Sequence, residues 1–329
     1  MSITRVNKQP HIVTIGGGTG SSVMLRGLKK YTENISAIVT VADDGGGSGI
    51  LREDLGMLPP GDIRACLVAL SNSEEEMELL MRYRFDEKAG RLAGQSFGNL
   101  FLAAMNNIHG DFYRGLKEAA KVLAITGKVL PMTLENVVLY AELEDGSIIE
   151  GESNITFLTR KSGGRIKRVF LQPELSLTLD EAKEDIAKAD LVILGPGSLY
   201  TSVIPNLLVK DLTQAKAPVV YICNVMTQPG ETDQYTAADH LRAIADHCGE
   251  NLVDAIYVNN KRIPEAARLR YEFREKSTPI HIREEEIALI QQMGTQVITG
   301  DFVDVKHDYI RHDADALGKI LVDSVSIND

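Results

Sequence analysis

The sequence predicts a doubly wound α/β fold, a mostly parallel Rossmann-like sheet carrying a β-rich hairpin insertion, on three observations. Short strand-like apolar runs alternate with helix-period segments along both halves of the chain. Two of those strands end in glycine turns, Gly16 to Gly20 and Gly195 to Ser198, each leading into a helix. Between the halves, residues 129–172 switch to short strands around Asp145-Gly146, a strong hairpin signal. At 329 residues the chain is long enough for a sizeable core, and it reads as one domain, 1–329, with that insertion.

In chain order, His11 to Ile15 is a β-branched strand, followed by the turn Gly16-Gly17-Gly18-Thr19-Gly20 and a helix over Ser21 to Lys30. Ile35 to Ala42 is almost uniformly apolar, as a parallel strand covered on both faces should be, and ends at Asp43-Asp44. After the glycine run 45–49, Asp62 suits the N-cap of a helix over Ile63 to Leu70. Further helices are expected over Glu74 to Arg82, Ser96 to Asn107 and Phe112 to Ala124. Beyond the insertion, the expected order is a helix near Leu179 to Lys188, a strand Leu191 to Leu194, the Gly195-Pro196-Gly197-Ser198 turn and a helix from about Thr201. Strands at Val219 to Asn224 and Ala255 to Val258 flank a helix near Tyr235 to His247, and a last helix covers about Ala314 to Val322.

Composition narrows the function. The 35 Lys and Arg against 46 Asp and Glu give a net charge of -11, which argues against nucleic acid or an anionic membrane as the main partner. Three widely spaced cysteines without a CxxC pair fit neither a disulfide framework nor a zinc knuckle, so a reducing cytoplasm is expected. No apolar run spans a bilayer, and the N-terminus has no signal-peptide core. The histidines lack metal-helix spacing and no G-x-S-x-G elbow is present, so a hydrolase has no support.

The candidate ligand crevice is the carboxyl edge of the sheet. Gly16, Gly17, Gly18, Thr19 and Gly20 can present backbone N–H groups to a phosphate at a helix N-terminus. No Gly-Lys-Ser/Thr ends the turn and Ser21 replaces the third fingerprint glycine, so neither the P-loop nor the dinucleotide pattern is complete. Asp43 and Asp44 stand where a ribose-binding acid would, and could equally hold Mg²⁺ through water. Gly195, Gly197 and Ser198 form the second turn on that edge. Arg64, Asn99, Asn224, Asn259 and Lys261 lie at or near strand and helix ends, and Arg311, in the polar tail His307 to Asp313, could clamp a phosphate.

Six segments together carry a resemblance: GGGTG at Gly16 to Gly20, VADDGGGSG at Val41 to Gly49, PPGDIR at Pro59 to Arg64, SFGN at Ser96 to Asn99, GPGSLYTSVIPNLLV at Gly195 to Val209, and NVMTQPGET at Asn224 to Thr232. In this order, from about His11 to Val322, the chain resembles the YvcK-like gluconeogenesis factors, within the CofD-like superfamily of 2-phospho-lactate transferase. The resemblance implies a cytoplasmic nucleotide-binding protein that takes UDP-sugars such as UDP-N-acetylglucosamine or UDP-glucose. It also implies a role in cell-wall synthesis and regulation of cell shape during gluconeogenic growth, with a protein partner in cell-wall precursor synthesis. The transferase branch implies instead a metal-dependent transfer from a nucleotide diphosphate, with Mg²⁺ at the Asp43-Asp44 position. An NAD(P)-binding protein is the third reading. A homo-oligomer is compatible with all three.

Overall fold

The computed structural model describes residues 9–73, 75–306 and 309–326. The first half runs β1 (Ile12–Gly16), α1 (Gly18–Leu28), β2 (Ile35–Val39), α2 (Gly46–Leu55), α3 (Gly61–Leu70), α4 (Glu75–Arg82), α5 (Phe97–His109), α6 (Phe112–Val122) and β3 (Lys128–Pro131). Then come β4 (Val138–Leu143), β5 (Ile148–Glu150), α7 (Glu152–Ser162), β6 (Ile166–Gln172) and α8 (Asp180–Lys188). The second half is β7 (Leu191–Leu194), α9 (Ile204–Leu207), β8 (Val219–Ile222), α10 (Ala237–Cys248), β9 (Ala255–Asn259), α11 (Glu265–Arg274), α12 (Glu284–Gln292) and β10 (Gln296–Gly300). A short hairpin, β11 (Val303–Lys306) with β12 (Tyr309–His312), precedes the closing helix α13 (Ala314–Ser326).

Seven strands form one parallel sheet in the order β10-β9-β8-β7-β1-β2-β3. The chain winds outward from β1 through β2 to β3, returns to β7 beside β1, and winds the other way to β10. Strand order therefore reverses between β1 and β7, and the carboxyl ends of those two strands open a crevice. This is the mostly parallel Rossmann-like sheet the sequence predicts. Every residue of β1, β2 and β7 is buried, the signature of strands with helices on both faces.

The expected β-rich insertion is more mixed than its sequence suggests. Its first residues belong to β3 of the main sheet, and only β5-β4-β6 form the separate antiparallel sheet, with α7 between β5 and β6. Glu152 to Ser162 carries two β-branched threonines and an isoleucine that favour strands, yet Ile155 and Thr159, four apart, are the positions it buries. Burial overrides propensity there. Leu139, Ala141, Ile155 and Val169 of this unit join the same continuous core as the main sheet.

The sequence reading leaves α2, α11, α12 and the β10, β11 and β12 strands unassigned. Helix α2 begins inside the glycine run, at Gly46, which its composition reads as a loop. Helix α1 likewise starts earlier than expected, at Gly18 rather than Ser21, so most of the first glycine turn is already its first turn. The expected Glu74 start of α4 and His307 and Asp308 of the polar tail lie outside the described residues.

Helices α1 and α13 meet backbone to backbone. A Cβ on Gly27 would stand 1.9 Å from the Ala314 carbonyl oxygen, and one on Gly318 would stand 2.9 Å from the Gly27 carbonyl carbon. Helix propensity alone favours Ala over Gly by about 1 kcal/mol, but overpacking against a backbone costs about 1–3 kcal/mol or more. The contact should win. Gly27→Ala is expected to lower the melting temperature by several degrees; a rise, measured calorimetrically, would show the helices are not in contact at this position.

Candidate functional site

The two glycine turns pack against each other at the β1/β7 edge. A Cβ on Gly20 would lie 2.5 Å from the Pro196 carbonyl oxygen, and one on Gly197 3.2 Å from the Gly17 carbonyl oxygen. Glycine is required at these points by backbone contact. Asn206, fully buried, fixes the turn from beneath by donating its amide to the carbonyls of Gly16 at 3.0 Å and Ser202 at 2.7 Å.

Two cavities flank this junction. The larger, about 690 Å³, is bordered by Gly20 and Gly197 on one side and by Asn224, Arg270, Arg274 and Arg311 on the others. Tyr271 also faces it, and its hydroxyl accepts the Ile310 N–H at 3.0 Å, tying α11 to β12. The smaller, about 350 Å³, is bordered by Gly18, Thr19, Asp43, Asp62, Arg64 and Asn99. Of the predicted site residues, Gly20, Gly197, Asn224 and Arg311 border the larger chamber and Gly18, Thr19, Asp43, Arg64 and Asn99 the smaller, while Gly16, Gly17, Asp44, Gly195, Ser198, Asn259 and Lys261 border neither.

Several predicted residues are committed to the fold. Gly16 sits behind the turn, its carbonyl taken by Thr40 N–H and Asn206. A Cβ on Gly17 would meet the Asp62 carboxylate at 2.4 Å, so Gly17 is the floor on which Asp62 rests. Asn259 is buried and accepts the N–H groups of Lys261 and Phe302, holding the turn after β9. Lys261 pairs with Asp301 at 3.0 Å, and neither Asn259 nor Lys261 borders the two chambers. Asp44 reaches across to the insertion, where its carboxylate accepts the Ser153 N–H at 2.9 Å and so caps α7.

Asp62 is not an N-cap. Helix α3 starts at Gly61 with Pro60 in the cap position, and the Asp62 carboxylate instead accepts the N–H of Gly18, whose φ is +67°. It occupies the N-terminus of α1 as an internal anion. Burial, with the charge of Asp43 next, pushes Asp62 up to about 7. Asp43 itself is raised by burial, although the Gly45 N–H and the Ser48 hydroxyl favour its charged form.

Two further acids gather here that sequence reading missed. Glu152, the first residue of α7, is pushed up to about 8 by burial and then by Asp43, while a bond from the Thr201 hydroxyl opposes the shift. Glu231 is buried and raised by burial; it accepts from Ser198, from Thr156 at 2.8 Å and from Gln228 at 2.5 Å. Its carboxylate therefore ties the second glycine turn, the insertion and the 224–232 loop together. Glu231 belongs to the NVMTQPGET segment, so a signal existed, whereas Glu152 had none. Arg270 and Arg274, four apart in an unassigned helix, were readable only as one face of α11.

Among the described residues no three His, Cys, Asp or Glu side chains are placed to hold a metal ion together. All three cysteines are free thiols. No helix of the described residues is long and apolar enough to cross a membrane.

A parallel sheet with glycine turns meeting at its switch point defines a Rossmann-like α/β protein with a crevice at that edge. The chain belongs to the CofD family: the model described as 2-phospho-L-lactate transferase CofD matches residues 12–303. It is 50% identical over 322 residues to the gluconeogenesis factor of Bacillus subtilis, covering 97% of this chain and 99% of that protein. The gluconeogenesis factor of Halalkalibacterium halodurans is 48% identical over 320 residues, covering 96% and 97%. A crystal structure of a member of the UPF0052 family from Bacillus halodurans superposes with a TM-score of 0.89 at 49% identity, covering 95% of this chain and 99% of that one.

The acid cluster sets a pH dependence. Asp62 and Glu152 titrate in the folded protein near 7 and 8, above their unfolded values near 4. The folded state therefore binds more protons between these limits, and stability falls as pH rises from about 4 and levels off above about 8. Glu152→Gln is expected to flatten the decline in melting temperature between about pH 5 and 8. A variant with the same slope as the parent would show that Glu152 ionises normally.

Proposed function

We propose that this protein is a nucleotide-sugar-binding regulator that takes UDP-N-acetylglucosamine or UDP-glucose in the larger chamber. The observation that carries the reading is the pairing of Arg270, Arg274 and Arg311 with the glycine floor at Gly20 and Gly197. In a chain of net charge -11 this is local provision for an anion, and a diphosphate fits the floor where no side chain intervenes. The chamber volume of about 690 Å³ falls in the range of small-molecule sites. Family resemblance selects the uridine sugar, and the relatives' name fits a role in gluconeogenic growth. In this reading the protein reports nucleotide-sugar supply to a protein partner in cell-wall precursor synthesis and supports cell shape, in the cytoplasm and without turning the ligand over.

A transferase is the second reading, favoured by the carboxylates Asp43 and Asp62 facing the smaller chamber. Both point into one space while Asp44 is engaged with α7, so a Mg²⁺ ion would rest on Asp43 and Asp62 with water completing its shell. The ion would neutralise phosphate charge. The residues themselves offer two oxygen donor groups, fewer than a dedicated protein cage.

Saturation at about 100 times the dissociation constant adds roughly 2.7 kcal/mol of stability, a melting shift of several degrees. UDP-N-acetylglucosamine should produce that shift and be recovered intact after incubation. Arg311→Ala should lose most of it while melting within a few degrees of the parent when no ligand is added. A larger shift with NAD or NADP would support dinucleotide binding instead, and a guanine preference with product formation would support the transferase.

A further inference from the structure

We propose that two copies of this chain pair through the outer edge of β10, joining their parallel sheets into one across a two-fold axis at Ile298. The inference does not depend on what either chamber binds.

Strand β10 ends the seven-stranded sheet and pairs only with β9. Gln296 donates its N–H to the Asp254 carbonyl at 2.8 Å, and the Gly300 carbonyl accepts the Asn260 N–H at 2.9 Å, so both residues face inward. Alternate residues of a strand turn their backbone groups to opposite sides, which leaves Val297 and Thr299 with N–H and C=O pointing away from β9. Among the described residues, nothing bonds these four groups. The strand is half-buried at Val297 and Ile298 and exposed at Thr299.

An open edge of this kind attracts other strands, and natural sheets guard it with charge, proline or a bulge. The opposite edge is guarded: β3 opens with Lys128 and closes with Pro131. Strand β10 has none of these devices. Its register with β9 is unbroken, and from Ile287 to Gly300 the chain carries no charged side chain, although Gln291, Gln292, Gln296 and Thr299 are exposed. The charge that follows, Asp301, is neutralised by Lys261 at 3.0 Å.

Charge and hydrogen-bond geometry select the occupant. A copy of net charge -11 meets another with least repulsion where neither presents charge, and this edge is such a place. In an antiparallel ladder, residues that exchange both backbone bonds alternate with residues that exchange none. About a two-fold axis at Ile298, Val297 of each copy faces Thr299 of the other, and all the outward groups of both chains are used. The β-branched pairs of Val297 with Thr299 lie on one face, and Ile298 meets its own copy on the other. Five residues of strand are too little for a stable interface alone. Helix α12 packs on β10 and borders the same edge, adding Leu289, 40% exposed, and the half-buried Met293.

The test is sedimentation equilibrium of the intact protein across a concentration series. A dimer of twice the 36.0 kDa chain mass is expected. Thr299→Pro removes an outward N–H and no bond to β9, whereas Thr299→Lys leaves the backbone whole and sets like charges beside the axis. Each should weaken the dimer at least tenfold, with circular dichroism confirming the fold. Register is read by cross-linking. Ile298 of the two copies would stand about 4.5 Å apart between Cα atoms, within disulfide reach, so Ile298→Cys should link under a mild oxidant. Gln296→Cys, whose copies would lie about 13 Å apart along the strands, should not. Cys66 and Cys223 are buried, and the half-buried Cys248 sets a background measured in the parent. A monomeric parent, a dimer unmoved by both Thr299 variants, no linking at Ile298→Cys, or equal linking at Gln296→Cys would overturn the proposal.

Discussion

Backbone contact between the two glycine turns at the β1/β7 edge is the constraint on which the site depends. The turns approach so closely that a Cβ at Gly20 would collide with the Pro196 carbonyl, and the crevice exists because neither turn carries a side chain there. The sheet supplies the reason these turns meet at all. Strand order reverses between β1 and β7, so turns far apart in sequence leave adjacent strands side by side. Asn206 beneath and Glu231 above then hold the junction with buried hydrogen bonds, which leaves it little freedom to spread.

The junction also divides the edge. On one side, arginines from α11 and β12 face a glycine floor; on the other, helix N-termini and two carboxylates face each other. The insertion closes this second side, because Asp44 caps α7 and brings Glu152 toward Asp43. Acids with raised values cluster where carboxylates are packed away from water, and such clusters accompany functional sites more often than plain surface does. The chain keeps them tolerable by hydrogen bonding: Ser48 and Gly45 to Asp43, Gly18 to Asp62, Thr201 to Glu152.

Much of this architecture was legible in the sequence. The alternation of apolar runs and the two glycine turns were enough for the parallel sheet and the crevice at its carboxyl edge, because period and turn chemistry are local signals. Gly20, Gly197, Asn224 and Arg311 do border one chamber, and Gly18, Thr19, Asp43, Arg64 and Asn99 the other. What was not legible depends on tertiary position. Asp62 looks like a cap in sequence and acts across the fold on α1; Asp44 looks like a ligand and caps a helix of the insertion; Asn259 holds a turn. Glycine content hid the start of α2, and threonines hid α7, since propensity gives way where one face is buried.

We propose that a nucleotide sugar rests intact against the glycine junction. A crystal structure of the protein grown with UDP-N-acetylglucosamine tests it most directly. The expected result is the unbroken ligand in the larger chamber, its diphosphate against Gly20 and Gly197 and within reach of Arg311. A ligand lodged elsewhere, or a chamber holding only a cleaved nucleotide, would contradict it.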